Sequence, residues 1–129
     1  MTLTEAREYF ANDIFATKTC GIKIDEVGEN YSKVSMTVDG RHLAAMGQVM
    51  GGAIFTLADF SFAVAANTKE EHCVTTTSTI NYVGMAKDEH LSAQCRCIKN
   101  GRKVCFYEVI ITDGLGNIVA IVNTTGTHV

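Results

Sequence analysis

The spacing of apolar positions changes along the chain, and each change marks an element. In LTEAREYFANDIF (3–15), Leu3, Ala6, Tyr9, Phe10, Asp13 and Ile14 fall at roughly helical spacing and predict a short amphipathic helix. GIKIDEV (21–27) and YSKVSMTV (31–38) predict strands joined by the turn Gly28-Glu29-Asn30. In the second, Val34, Met36 and Val38 alternate with Lys33, Ser35 and Thr37, the signature of a half-buried strand. DGRHLAAMGQV (39–49) has no period and reads as a loop. From Gly51 to Asn67 the chain is apolar nearly all round, Ala-rich and free of proline, which predicts a helix buried on most sides. Four strands follow, at 73–84, 89–99, 102–113 and 117–127. Asn100-Gly101 is a strong hairpin signal, and Asp113 to Asn117 forms a longer turn. The simplest architecture that hides such a helix is α+β: one domain, spanning 1–129, in which an antiparallel sheet wraps around a long central helix.

One residue breaks the apolar run MGGAIFTLADFSFAVAAN (50–67). Asp59 is set among Ile54, Phe55, Leu57, Phe60 and Phe62, so it is expected to lose its water. An ionised carboxylate there is costly unless it is paired or hydrogen-bonded. Two readings follow from the residues: a structural peg bonded to threonine or backbone, or a base kept for chemistry.

Bulk properties narrow the field. At 129 residues and 47% apolar the chain can bury a real core. A net charge of −3 gives nucleic-acid binding no electrostatic support. The apolar run is interrupted by Thr56, Asp59, Ser61 and the glycine pair, so no membrane span is expected, and the acidic N-terminus does not read as a signal peptide. Five cysteines without a CxxC pair, two of them at Cys95 and Cys97 on one face of a strand, read as buried thiols in a reducing cytoplasm. His42, His72, His90 and His128 show no metal-ligand spacing, and neither a metal nor a cofactor is expected.

The stretch HLAAMGQVMGGAIFTLADFSFAVAAN (42–67) resembles the signature of hotdog-fold thioesterases of the phenylacetic-acid-degradation type, H-L-N-x-x-G-x-x-H-G-G-x-x-x-x-L-x-D. INYVGMA (80–86), KNGRKVCFYEVIITD (99–113) and GNIVAIVNTTGTH (116–128) are similar to the last strands of that family, so the resemblance covers nearly the whole chain. It implies a hotdog fold, a homodimer or homotetramer with active sites between subunits, and hydrolysis of acyl-coenzyme A thioesters.

Thioester hydrolysis needs an activated water or nucleophile and donors for the developing oxyanion. Gly51 and Gly52 stand where the helix begins, with unpaired N–H groups and a positive dipole end. Glycine admits a substrate close to that backbone, although it also permits tight packing. The resemblance points to the Gly51 N–H as oxyanion donor and to Asp59 as general base or nucleophile. Eight residues of helix span about 12 Å, so the two are expected to meet at one carbonyl only across a subunit interface. The resemblance also implies that Thr75, with Thr76 next, helps hold the water; three threonines in a row are equally plain strand formers. Lys99, Arg102 and Lys103 flank the hairpin and suit coenzyme A phosphates, or are solvated turn charges.

Two positions depart from the family pattern. Its histidine before the glycine pair is Met50, which a backbone donor tolerates. Its asparagine is Ala44, which cannot supply the amide that helps hold the water or thioester. That loss raises an alternative function, an acyl-CoA-binding protein without turnover. A hotdog hydratase is a third, with His42 as the nearby candidate. Phe55, Phe60, Phe62 and Met50 either shape an aromatic or medium-chain pocket or are core.

Overall fold

The computed structural model describes residues 1–69 and 72–129. Among them, six strands form one antiparallel sheet: β1 (Lys23–Gly28), β2 (Tyr31–Thr37), β3 (Cys73–Tyr82), β4 (His90–Asn100), β5 (Val104–Asp113) and β6 (Ile118–His128). Their order across the sheet is β1-β2-β4-β5-β6-β3. Two helices accompany them, α1 (Leu3–Phe10) and α2 (Gly51–Ala66). This is the α+β arrangement expected from the sequence, a sheet curved around one helix.

Burial explains the curvature. β5 alternates strictly, with Cys105, Tyr107, Val109 and Ile111 turned inward against α2. Ile54, Leu57, Ala58, Ser61, Phe62 and Ala65 face them from the helix. The Ser32 hydroxyl donates to the Ser61 carbonyl at 2.6 Å, tying β2 to the helix through a buried bond. Gly126 on β6 is a glycine for steric reasons: a Cβ there would lie 2.8 Å from Phe62 Cζ, 2.8 Å from Cys73 Sγ and 2.9 Å from Cys105 Sγ. The two thiols meet over it at 3.0 Å. Burial pushes the thiols of Cys73 and Cys95 up to about 12, so both stay protonated.

Three expectations are corrected. The first helix ends at Phe10 and not Phe15, because Asn12 Nδ2 and the Asp13 N–H bond to the carbonyls of Tyr9 and Phe10 and turn the chain. A single π-helical turn, Phe15–Thr19, follows, so Ala6 and Phe10 are buried whereas Tyr9 and Ile14 are exposed. The β4–β5 connection is the three-residue loop 101–103, closed by the Gly101 N–H on the Val104 carbonyl at 2.9 Å, and not a two-residue turn. Most important, α2 is not buried all round. Gly52 and Asp59 are exposed, and Phe55, Thr56 and Ala63 are half-buried. These positions fall at spacings of three and four, one stripe along the helix away from the sheet.

Candidate active site

The start of α2 is built without a side-chain cap. Met50 occupies the cap position and makes no capping bond. Its own N–H donates to the His42 carbonyl at 2.8 Å, and its carbonyl accepts the N–H groups of Ala53 and Ile54. The N–H groups of Gly51 and Gly52 donate to no group of the described residues. Such orphan donors at a helix N-terminus usually find a capping oxygen, and here they remain available to a ligand oxygen.

His42 holds this arrangement in place. The Asp39 N–H donates to its Nδ1 at 3.0 Å, so the ring proton sits on Nε2 and is donated to the Cys20 carbonyl at 2.8 Å. With Nδ1 accepting, the 3.4 Å approach of the Asp39 carboxylate is not an ion pair. His42 is buried, and both ring nitrogens are used. It is a peg for the loop that leads to α2, which removes the candidate histidine of a hydratase.

A cavity of about 490 Å³ opens in front of Gly51. Its walls are largely apolar: Leu43, Val49, Ile54, Tyr82, Met85 and Val119 contribute to it. Polar groups come from Gln48, Lys87 and Asp88. The loop supplying Gln48 is a small closed unit in which Leu43 pairs with Val49 and the Ala44 N–H donates to the Gln48 carbonyl at 2.7 Å. Ala44 itself does not line the cavity, nor does Met50.

Asp59 lines a separate cavity of about 150 Å³ with Asp13, Phe15, Ala16, Thr56, Phe60 and Ala63. Of the five apolar neighbours expected for it, only Phe60 is there; Ile54, Leu57 and Phe62 point to the sheet. The carboxylate is open to solvent at the cavity mouth and crowded by protein on its other sides. That partial loss of water raises its pKa, and the negative charge of Asp13 raises it further. A bond to threonine or backbone, as a structural peg would need, is absent among the described residues.

The remaining expected residues are not brought to either cavity. Thr75 pairs with Gly126 and shares the helix-side face of the sheet, but a bulge at Thr76 turns that hydroxyl back onto the Thr125 carbonyl at 3.0 Å. Lys99, Arg102 and Lys103 lie at the β4–β5 loop, whereas the Gly51 cavity lies at the other end of β4, beside Asp88. Eleven residues of strand separate them, about 35 Å if straight. Among the described residues, no group of three His, Cys, Asp or Glu side chains could hold a metal ion. Nor is any described helix long and apolar enough to cross a membrane.

Against this geometry, the family model of the thioesterase superfamily matches residues 46–120, from the loop before α2 to the start of β6. The chain belongs to the thioesterase superfamily. Among curated relatives, this chain is 31% identical over 118 residues to the acyl-coenzyme A thioesterase PaaI of Escherichia coli, covering 90% of this chain and 83% of that one. The structure of the E. coli PaaI protein superposes with a TM-score of 0.86 at 24% identity, over 99% of this chain and 96% of that one. A hypothetical thioesterase from Streptococcus pneumoniae, solved with coenzyme A, gives 0.85 at 24% identity, over 93% and 96%. A thioesterase from Haemophilus influenzae gives 0.90 at 20% identity, over 100% and 91%. The hotdog fold of a PaaI-like hydrolase is thereby established for the whole described chain.

Sequence reasoning missed Gln48, Tyr82 and Lys87. Each is a lone polar residue in a strand end or loop, and only the closure of the sheet brings them together around the start of α2.

Proposed function

We propose that the chain hydrolyses acyl-coenzyme A thioesters to the free acid and coenzyme A. One observation carries the reading: the Gly51 and Gly52 N–H groups at the uncapped start of α2 have no partner among the described residues, and Gly51 lines an apolar cavity of about 490 Å³. A thioester carbonyl needs such donors as charge develops on its oxygen, and an acyl group needs such walls. The Gly51 N–H is the oxyanion donor. Asp59, with its raised proton affinity, is the general base or nucleophile. The thioesterase name of the E. coli relative supports the same reaction.

In one chain these two groups serve different cavities, so the site is proposed to form between two copies. Two features support this. The α2 stripe bearing Asp59 is uncovered, and β3 is an edge strand exposed along most of its length. Thr75 and Thr76 are then proposed to lie close to the shared water, with Gly52 beside the thioester. Lys87, which lines the Gly51 cavity, is the nearer cation for coenzyme A phosphates; Lys99, Arg102 and Lys103 contribute only if the second copy carries them to its mouth. The half-buried and buried thiols suit a reducing cytoplasm.

Ala44 favours a second reading, an acyl-CoA-binding protein without turnover, because no amide stands at that position. Thiol release across acetyl- to dodecanoyl-CoA and phenylacetyl-CoA, beside calorimetry with the same compounds, separates the two. Release that Asp59→Asn lowers by at least about 10²-fold supports hydrolysis. Tight binding without release supports the alternative. Light scattering that gives a mass of 14.0 kDa at micromolar concentration would sink the shared site.

A further inference from the structure

Gly51 and Gly52 are conformationally the freest pair with which to begin a helix, yet an oxyanion donor must be aimed. A group from another element supplies the restraint. Tyr82, the last residue of β3, donates its hydroxyl to the Gly51 carbonyl at 2.8 Å. Its register partner is the buried Ala120, which places Tyr82 on the helix side of the sheet. The contact is close: a Cβ on Gly51 would lie 3.0 Å from Tyr82 Oη and 3.1 Å from Cζ, so any larger residue at 51 would have to shift the tyrosine by a few tenths of an ångström.

The Gly51 carbonyl and the Gly52 N–H are the two ends of one peptide group. A hydrogen bond on the carbonyl fixes the plane of that peptide, and with it the torsion on the carbonyl side of Gly51. It also polarises the group, which strengthens the N–H as a donor. Both consequences act on the stretch of backbone whose N–H groups have no other partner. The same tyrosine lines the 490 Å³ cavity together with Ile54, Met85 and Val119.

We propose that Tyr82 is a positioning residue of this site with two separable parts. Its hydroxyl holds the Gly51–Gly52 peptide so that both N–H groups converge on the thioester oxygen, and its ring bounds the acyl group. The proposal rests on the hydrolase reading above. It assigns the hydroxyl to the transition state and the ring to substrate size.

Two variants of the whole protein divide these parts. Tyr82→Phe keeps the ring and removes the bond. We expect kcat to fall about tenfold, less than the 10²–10³ of a direct oxyanion donor, with KM within twofold of wild type. The Gly52 amide resonance in a ¹⁵N–¹H spectrum should move, while the melting temperature stays near that of wild type. Tyr82→Leu should add a rise in KM that is largest for the bulkiest acyl group, phenylacetyl-CoA, and smallest for acetyl-CoA. Unchanged kcat with unmoved Gly51 and Gly52 resonances in Tyr82→Phe would overturn the positioning role. So would a loss that appears wholly in KM, or one that tracks a lowered melting temperature equally for every substrate. Failure of the underlying reading looks different: wild type releases no thiol from any acyl-CoA, or Asp59→Asn keeps full turnover. In that case the amide shifts of Tyr82→Phe still decide whether the hydroxyl orients this peptide.

Discussion

The two long faces of α2 have opposite chemistry within sixteen residues. The sheet-facing side, with Ile54, Leu57, Ala58, Ser61 and Phe62, is sealed; the Ser61 hydroxyl donates to the Ala58 carbonyl, and the Ser61 carbonyl accepts from Ser32 of β2. The outward stripe, with Gly52, Thr56, Asp59 and Ala63, is open, and it carries the helix's one charge with no hydrogen-bond partner among the described residues. The first face holds the fold together. The second leaves a carboxylate exposed and without a hydrogen-bond partner among the described residues, as the proposed catalytic role of Asp59 requires. Substitutions on the two faces should therefore fail in different assays.

The largest contrast is expected between Asp59→Asn and Leu57→Ala. Asp59→Asn preserves shape and removes the proposed base, so kcat should drop by about 10²–10⁴-fold. Its stability should not fall. A carboxyl whose pKa is raised on folding binds protons more tightly in the folded state, so its ionisation opposes folding as pH rises through the raised value. An uncharged Asn escapes that cost and should melt at or above the wild-type temperature at neutral pH. Leu57→Ala empties a fully buried position and should cost about 2–5 kcal/mol in denaturant unfolding. The remaining folded molecules should keep near-normal turnover. Equal loss of stability in both variants would erase the distinction between the faces.

A smaller effect is expected at the loop leading into α2. Ala44 is half-buried, and its N–H and carbonyl close the turn to Gln48 and Gly47. Ala44→Asn should leave that backbone intact and place an amide on the loop that leads into α2. Hydrolysis of the best acyl-CoA is expected to rise about tenfold, with affinity changed much less, because one pre-organised polar contact is gained. An unchanged or lower rate would mean that another group, with Gln48 the nearest candidate in the Gly51 cavity, already does this work.

How far these faces could be read from the sequence depends on what each requires. The strands were legible because alternation such as Val34–Met36 follows directly from a pleated strand with one covered side. The helix was legible by length and composition, and so was the glycine pair at its start. Its two-faced character was not, because Phe55, Ala53 and Ala63 are as apolar as the residues that face the sheet, and no periodicity separates them. Asp59 stands out in the sequence as the one acid of its run, but its surroundings do not, since sequence neighbours on a helix point in different directions. Tyr82 and Asp13 come from elements far from the start and middle of α2 in the chain, and only the closed sheet and the π-helical turn bring them there; Gln48 is near in sequence but lies in a loop without periodicity. The hairpin cations were attractive as a cluster, yet sequence proximity to one another says nothing of distance from Gly51.

The smallest expected effect concerns the residue that shares the Asp59 cavity. Burial raises the Asp59 pKa first, and the charge of Asp13 raises it further; no other charged group of the described residues contributes to that shift. The base is active only when ionised, so kcat/KM should fall as pH drops through the raised value, on a limb lying above the ordinary 3.8. Asp13→Asn removes the second contribution and leaves the first. The limb should move toward lower pH without reaching the ordinary carboxylate position, and the neutral-pH plateau should change little. Carbon-13 titration of labelled aspartate carboxyls gives the same comparison without substrate. A limb that stays in place, or moves upward, in Asp13→Asn would show that Asp13 is too well hydrated to influence Asp59. The open stripe would then tune its base by burial alone.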